Sequence, residues 1–97
     1  MAMFLNKKNK PEQNEEIEMD NLEKYNLIFK ECFELEDQDL GENLVYQSVR
    51  NWDSVGHMQL ISEIEDAFDI MLDTDDIIDF SSYDKGKEIL KKYDIDL

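Results

Sequence analysis

An irregular segment gives way to an amphipathic helix at Trp52-Asp53-Ser54-Val55-Gly56-His57-Met58-Gln59-Leu60. From residue 60 onward, one apolar face is predicted by the helical spacing of Leu60, Ile61, Ile64, Ala67 and Phe68. Asp53 precedes this pattern and is a good N-cap, because its carboxylate can accept backbone N–H groups of the first turn. Ser54 is then the first helical residue. Its hydroxyl is expected to face solvent at the positive end of the helix dipole, where phosphate is favoured.

An earlier helix is predicted from the same kind of pattern. Asp20 or Asn21 can cap it, and it is expected to run to about Leu35. Its apolar stripe consists of Leu22, Tyr25, Ile28, Phe29, Cys32 and Phe33. Residues 36–52 show no sustained period and are expected to form a long loop that apolar anchors hold to the core.

The second half of the chain continues the helical pattern. The helix that begins at Ser54 is expected to end near Phe68, and two further helices follow it. The first of these is short and can be capped by Asp73 or Thr74. The last helix can be capped by Ser81 or Ser82. Three longer helices, one short helix and no alternating strand pattern indicate an all-α four-helix bundle.

The N-terminal residues differ in composition from the rest of the chain. Residues 6–11 are polar and basic, and residues 12–18 are mainly acidic, with few apolar side chains to bury. Residues 1–20 are therefore interpreted as a flexible arm. Residues 21–97 are then one domain, because the whole length is enough for one modest core and not for two.

The charge of the chain limits the kinds of partner that it can bind. The first ten residues carry three lysines and no acid, so residues 11–97 combine seven basic with 25 acidic residues, a net charge of −18. Such a surface repels nucleic acid and anionic membranes and attracts basic protein patches. No apolar run approaches membrane-spanning length, and the single cysteine, Cys32, fits a reducing compartment. The expectation is a cytoplasmic, monomeric protein that binds no nucleic acid.

Several of these features together resemble the acyl carrier protein family. The matching residues are Asp53-Ser54-Val55, Met58, Leu60, the run Ile64-Glu65-Asp66-Ala67-Phe68, and Ile70. An acidic loop and a last helix that starts at Ser81-Ser82-Tyr83 extend the likeness over residues 22–93, about three quarters of the chain. An Asp-Ser pair alone indicates only a capped helix start, because such pairs begin many helices. The combination favours a carrier.

The resemblance implies that Ser54 is esterified by the phosphate of phosphopantetheine, which comes from coenzyme A. Asp53 would cap the helix and help to position a phosphopantetheinyl transferase. The implied function is to carry acyl intermediates as thioesters, without catalysis, for fatty-acid-like synthesis or for a specialised lipid, secondary metabolite or surface polymer. The other implied partners are acyl- or aminoacyl-loading and chain-processing enzymes with basic docking patches.

The resemblance also implies two further sets of residues. The partner-recognition face would consist of Val55, Met58, Gln59, Ser62, Glu65 and Asp66. The acyl chain would enter between the second and third helices near Leu60, Ile64, Ile77 and Ile78. Trp52 stands where the family usually has glycine, while Gly56 and Gln59 stand where housekeeping fatty-acid carriers have acids. These departures favour a carrier for a specialised pathway.

Two alternative sites, a hydrolase elbow and a calcium-binding loop, fit the sequence less well than the carrier does. A hydrolase elbow of the G-x-S-x-G type would need glycine at Trp52 and a strand before the serine, so His57 is expected to be a bordering surface histidine. Calcium binding would draw on Asp69, Asp73, Asp75, Asp76 and Asp79. An EF-hand loop that starts at Asp73 would have Ile78 at its glycine position, so no dedicated metal site is expected.

Two other functions stay open at this stage. An aminoacyl or peptidyl carrier of the non-ribosomal type shares the fold and the attachment serine of acyl carriers. A non-covalent acidic adaptor would use the charged surface without any modification. Intact mass after incubation with coenzyme A and a transferase separates a carrier from an adaptor.

Overall fold

The structure, a computed structural model, describes residues 19–97. Its four α-helices are α1 (Asn21–Phe33), α2 (Ser54–Phe68), α3 (Thr74–Asp79) and α4 (Tyr83–Lys91). A 3₁₀ turn spans Asp37–Asp39, and a single antiparallel bridge joins Val45 and Ser82; within residues 19–97 no longer strand forms. The predicted all-α class is confirmed for this part of the chain. Most of the predicted arm, residues 1–18, lies outside it.

A capping box starts α1 at the predicted position. The Asp20 carboxylate accepts the N–H of Glu23 at 2.9 Å, and the Glu23 carboxylate accepts the N–H of Asp20 at 3.1 Å. The helix ends at Phe33 rather than at Leu35, because Glu34 takes the left-handed conformation with φ of 57° and the chain turns there. The predicted end of this helix was therefore wrong by two residues.

Aromatic side chains form the centre of the core. Phe29 of α1 contacts the rings of five other residues, with centroid distances between 4.9 and 6.4 Å to Tyr25, Phe33, Trp52, Phe80 and Tyr83. Two residues assigned to apolar stripes, Leu22 and Ala67, are exposed instead. Each lies in a terminal turn of its helix, beyond the area that neighbouring elements cover.

The segment between α1 and α2 is a loop that the core holds in place, as predicted. Leu44 is buried, and its carbonyl accepts the N–H of Tyr83 at 2.9 Å. The N–H of Tyr46 in turn donates to the carbonyl of Ser81 at 2.8 Å. These bonds attach the loop to the α3–α4 junction, and they carry Tyr46 to the same end of the domain as Ser54.

The helix α4 packs against the core through a glycine. A Cβ added at Gly86 would lie 2.2 Å from both the Tyr25 hydroxyl and a ring carbon of Phe80. The missing side chain therefore permits the close approach, which offsets the ~1 kcal/mol that glycine costs inside a helix relative to alanine. Tyr25 donates to the carbonyl of Tyr83 at 2.6 Å, and burial raises the pKa of its hydroxyl, which keeps it protonated as a donor.

Asp76, one of the acids considered for calcium, is part of the helix packing. It is buried between α3 and the end of α4, where Lys92 donates to one carboxylate oxygen at 2.5 Å and the Tyr93 hydroxyl to the other at 2.6 Å. The Lys92 hydrogen bond, with that of Tyr93, lowers the pKa of Asp76. This carboxylate therefore joins two helices. Among residues 19–97, no three acidic, histidine or cysteine side chains converge as metal ligands.

Candidate functional site

Ser54 is exposed at the first position of α2. The Asp53 carboxylate accepts the N–H of Gly56 at 2.9 Å, so Asp53 caps the helix as predicted. The first N–H groups of a helix have no acceptor within it. Because Asp53 takes the N–H of Gly56, those of Ser54 and Val55 are left to water or to an anion. The capped helix start thus presents both a hydroxyl and positive dipole charge.

Gly56 is required by a close approach between the helix and the preceding turn. A Cβ at this position would lie 1.8 Å from the carbonyl oxygen of Asn51, a backbone atom that cannot move aside cheaply. The turn itself is closed by Trp52, whose N–H donates to the carbonyl of Val49 at 3.2 Å and whose carbonyl accepts the N–H of Gln47 at 3.0 Å. Gly56 therefore allows the start of α2 to pack closely against the Asn51 carbonyl, which determines where Ser54 lies relative to the loop.

Trp52 anchors this turn in the core. Its ring is fully buried, stacked on Phe33 at a centroid distance of 5.1 Å and packed edge-on against Phe29 at 5.5 Å. The large apolar residue in front of Asp53 thus fixes the start of α2 to α1. In the sequence, Trp52 was notable only as a replacement for glycine.

His57 joins α2 to α3, and the expectation of a surface histidine was wrong. The half-buried imidazole accepts the indole N–H of Trp52 at Nδ1 (2.9 Å), and its Nε2 lies 2.9 Å from the carbonyl oxygen of Ile77. Because the indole only donates, Nδ1 must be the acceptor and Nε2 carries the proton. Ser54 takes part in neither bond, and the two imidazole nitrogens instead link α2 to the preceding loop and to α3.

An apolar cleft of about 350 Å³ opens beside Ser54. Its lining consists of Tyr46, Ser54, His57, Met58, Ile77, Ile78, Phe80 and Ser81. Only Ile77 and Ile78 of the four residues predicted for the acyl pocket lie there. The other two, Leu60 and Ile64, are fully buried in the core and do not line the cleft. Ser54 and the loop residue Tyr46 are among the residues that line it instead.

The predicted recognition face is exposed, except at one position. Val55 and Met58 are 79% and 56% exposed, a high fraction for apolar side chains. The other exposed members are Gln59, Ser62 and Asp66. Glu65 is half-buried, and its carboxylate accepts the N–H of Leu72 at 2.9 Å. Glu65 is therefore less accessible than the other members of the predicted face, since its carboxylate ties the following loop to α2.

A second, more polar cleft of about 260 Å³ begins beside the same helix start. It is lined by Cys32, Asn51, Asp53, Val55, Gly56 and Gln59. Burial, with Glu63 and Glu31 nearby, raises the pKa of the Cys32 thiol. A protonated thiol is a poor nucleophile. Burial therefore disfavours the reactive thiolate form of Cys32.

The chain matches no protein-family model, and the comparisons with curated proteins and with solved structures found no match either. Within residues 19–97, no helix has both the length and the apolar character that crossing a membrane requires. The interpretation of the site therefore rests on its geometry and on the sequence motif.

Proposed function

We propose that this protein is an acyl carrier protein, a four-helix domain that holds acyl groups on a phosphopantetheine arm at Ser54. The observation that carries the proposal is the position of Ser54. It is an exposed hydroxyl at a capped helix start, on the rim of an apolar cleft. An anion is favoured at such a helix end, and an acyl chain is favoured in such a cleft.

The residues around Ser54 fit a phosphopantetheine group. The hydroxyl is accessible, and the backbone N–H groups of Ser54 and Val55, which have no acceptor within the helix, could donate to a phosphate on it. Attachment forms a bond between the Ser54 oxygen and the phosphorus on the pantetheine side of the coenzyme A diphosphate. The bond from that phosphorus to the bridging oxygen breaks, and adenosine 3′,5′-bisphosphate leaves. The serine proton passes to a base of the transferase. When bound, the arm supplies a thiol that forms thioesters.

The remaining surface supports a role in docking rather than in catalysis. Residues 11–97 carry a net charge of −18, which attracts enzymes with basic patches and speeds their encounter. Val55 and Met58 form an apolar contact next to the serine. Both nitrogens of His57 are committed to structural bonds. The carrier would accordingly present its cargo to partner enzymes and catalyse nothing itself.

The test is intact mass after incubation with coenzyme A and a transferase of broad specificity. The same transferase must load a known carrier domain in parallel. We expect the wild type to gain the mass of one phosphopantetheinyl group. Ser54→Ala should gain nothing while it keeps its helical spectrum. Thr74→Ala is the matched control, because it removes an exposed hydroxyl at the first position of α3, outside the predicted recognition face, and it should load like the wild type.

Two results would overturn the proposal. An unmodified wild type in the presence of a working transferase would favour the non-covalent adaptor. A mass gain by Ser54→Ala would place the modification on another residue. An arm that is loaded by amino acids and not by acyl groups would favour the aminoacyl carrier within the same attachment chemistry.

A further inference from the structure

Tyr46 is held rigidly beside the attachment serine. Its backbone N–H donates to the carbonyl of Ser81, and its ring packs edge-on against two other rings. The centroid distances are 6.4 Å to Trp52 and 5.7 Å to His57, with interplanar angles of 84° and 83°. The side chain is therefore fixed by neighbours on the loop and on α2, and its direction does not depend on any ligand.

The hydroxyl of this tyrosine points at the serine. The Tyr46 and Ser54 hydroxyl oxygens lie 3.4 Å apart, and Ser54 is the hydrogen-bond partner that residues 19–97 offer to this phenol. Ordinary O–H···O bonds are about 2.5–3.0 Å long, so this contact is a weak one. The rigid phenol thus stands slightly too far from the bare hydroxyl to bond it well.

We propose that Tyr46 is the positioning residue for the group on Ser54, and this inference rests on the proposed carrier function. A phosphorus bound to the serine oxygen carries its non-bridging oxygens further outward, into the reach of the phenol. The Tyr46 O–H then donates to an anionic oxygen. Such charge-assisted bonds are shorter and about twice as strong as neutral ones. The modified serine would therefore offer the Tyr46 hydroxyl a better acceptor than the bare hydroxyl does.

The charges near Ser54 favour a neutral donor for this task. The carboxylate of Asp53 is the next side chain in sequence and repels a phosphate. Between residues 31 and 84 the chain has one basic residue, Arg50, among many acids. The phenol supplies a hydrogen bond at the serine without needing a cation, and it lies on the lining of the apolar cleft.

The proposed bond also decides the direction of the arm. Two clefts begin near the helix start, the apolar one that contains Tyr46 and the polar one that contains Asn51 and Gln59. A phosphate held by Tyr46 lies on the apolar side. The arm is then directed along Met58 and Ile78, and away from the polar cleft.

The experiment compares the loaded wild type with Tyr46→Phe, which keeps the packed ring and removes only the hydroxyl. The matched control is Ser81→Ala, which removes a different hydroxyl from the lining of the same cleft. Intact mass first establishes loading of all three proteins. We then expect the ³¹P resonance of Tyr46→Phe to move by more than its linewidth, while Ser81→Ala matches the wild type. Nuclear Overhauser contacts from the arm to Met58 and Ile78 should be lost in Tyr46→Phe alone.

A measurement on the loaded wild type keeps the inference open to refutation without any variant. The ring protons of Tyr46 should show contacts to the first methylene group beyond the phosphate. The absence of these contacts, or equal ³¹P shifts in the wild type and Tyr46→Phe, would overturn the role of Tyr46 and leave the carrier function intact. Failure of the wild type to load would instead overturn the carrier function itself.

Discussion

The indole N–H of Trp52 donates a 2.9 Å hydrogen bond to Nδ1 of His57, and the planes of the two rings are nearly parallel, with an interplanar angle of 13°. This bond connects the fully buried anchor of the loop to the first turn of α2. The second imidazole nitrogen continues the link to the carbonyl of Ile77 in α3. One side chain therefore joins three elements around the cleft, which gives the mouth of the cleft a fixed shape.

We expect the neutral imidazole of His57 to carry its proton on Nε2 and not on Nδ1. The reason is that the Trp52 indole can only donate, so Nδ1 has to accept. Long-range ¹H–¹⁵N correlation spectra of the ring distinguish the two tautomers directly. A proton on Nδ1 would show that the Trp52–His57 bond does not form in solution.

Replacement of His57 by leucine should lower the free energy of unfolding by about 1–3 kcal/mol, because the buried indole N–H of Trp52 loses its acceptor. Urea unfolding measures the difference. Gln59→Leu is the matched control, since Gln59 is exposed on the same helix and its replacement should change stability by less than about 0.5 kcal/mol. Equal stabilities of the two variants would mean that the link through His57 contributes nothing.

Gly56→Ala should destabilise the protein although alanine is the better helix former. The added Cβ would lie 1.8 Å from the Asn51 carbonyl oxygen, so the turn or the helix start has to shift. Such overpacking typically costs about 1–3 kcal/mol, which exceeds the ~1 kcal/mol gained in helix propensity. Thermal and urea unfolding test the sign. A more stable Gly56→Ala protein would contradict the close approach between Asn51 and α2.

The elements that the sequence predicted well are those whose signals are local. Asp53 and Asp20 cap their helices through bonds to residues three positions later, so the pattern and the structure involve the same few residues. The same holds for Ser82, which was one of two candidates and accepts the N–H of Lys85. Local hydrogen bonding decides a helix start, which is why the position of Ser54 was predictable.

The cleft was less predictable, because its lining is assembled from distant parts of the chain. Tyr46 comes from a loop without any period, and its place depends on a backbone bond to Ser81. His57 is distinguished from a surface histidine by its contacts with the indole of Trp52 and the carbonyl of Ile77. No spacing rule encodes such contacts. The predicted acyl pocket therefore included the core residues Leu60 and Ile64, and it omitted Tyr46 and His57.

The buried carboxylate of Asp76 should make stability depend on pH in the acid range. Its hydrogen bonds from Lys92 and Tyr93 lower its pKa below the ordinary value of 3.8. Because the folded state then binds fewer protons than the unfolded state, this contribution is present above about pH 4 and is lost as the pH falls through the lowered pKa. The stability difference between the wild type and Asp76→Asn should thus shrink below pH 3.8.

Urea unfolding between pH 2 and pH 7 measures this difference. Asp75→Asn provides the control, since Asp75 is an exposed neighbour in the same helix. If the difference in free energy of unfolding between the wild type and Asp76→Asn stayed constant down to the lowest pH, the lowered pKa would be contradicted. At alkaline pH, the ion pair between Asp76 and Lys92 gives stability the opposite pH dependence. Asp76 raises the pKa of Lys92, so stability should fall as Lys92 deprotonates.

The half-buried position of Glu65 separates two effects that a combined charge reversal at residues 65 and 66 would mix. Asp66 is exposed, so we expect Asp66→Lys to leave the fold intact and to slow loading by a transferase with a basic docking patch. Exposed charges mainly affect the rate of encounter, and the salt dependence of loading should weaken with the change.

Glu65→Gln keeps an acceptor for the N–H of Leu72 and should retain stability, whereas Glu65→Lys loses that bond and should lower the melting temperature. Loading rates at low and high salt, measured beside the melting temperatures, distinguish the two roles. Equal loading of Asp66→Lys and the wild type at low salt would place the docking face on another part of the domain.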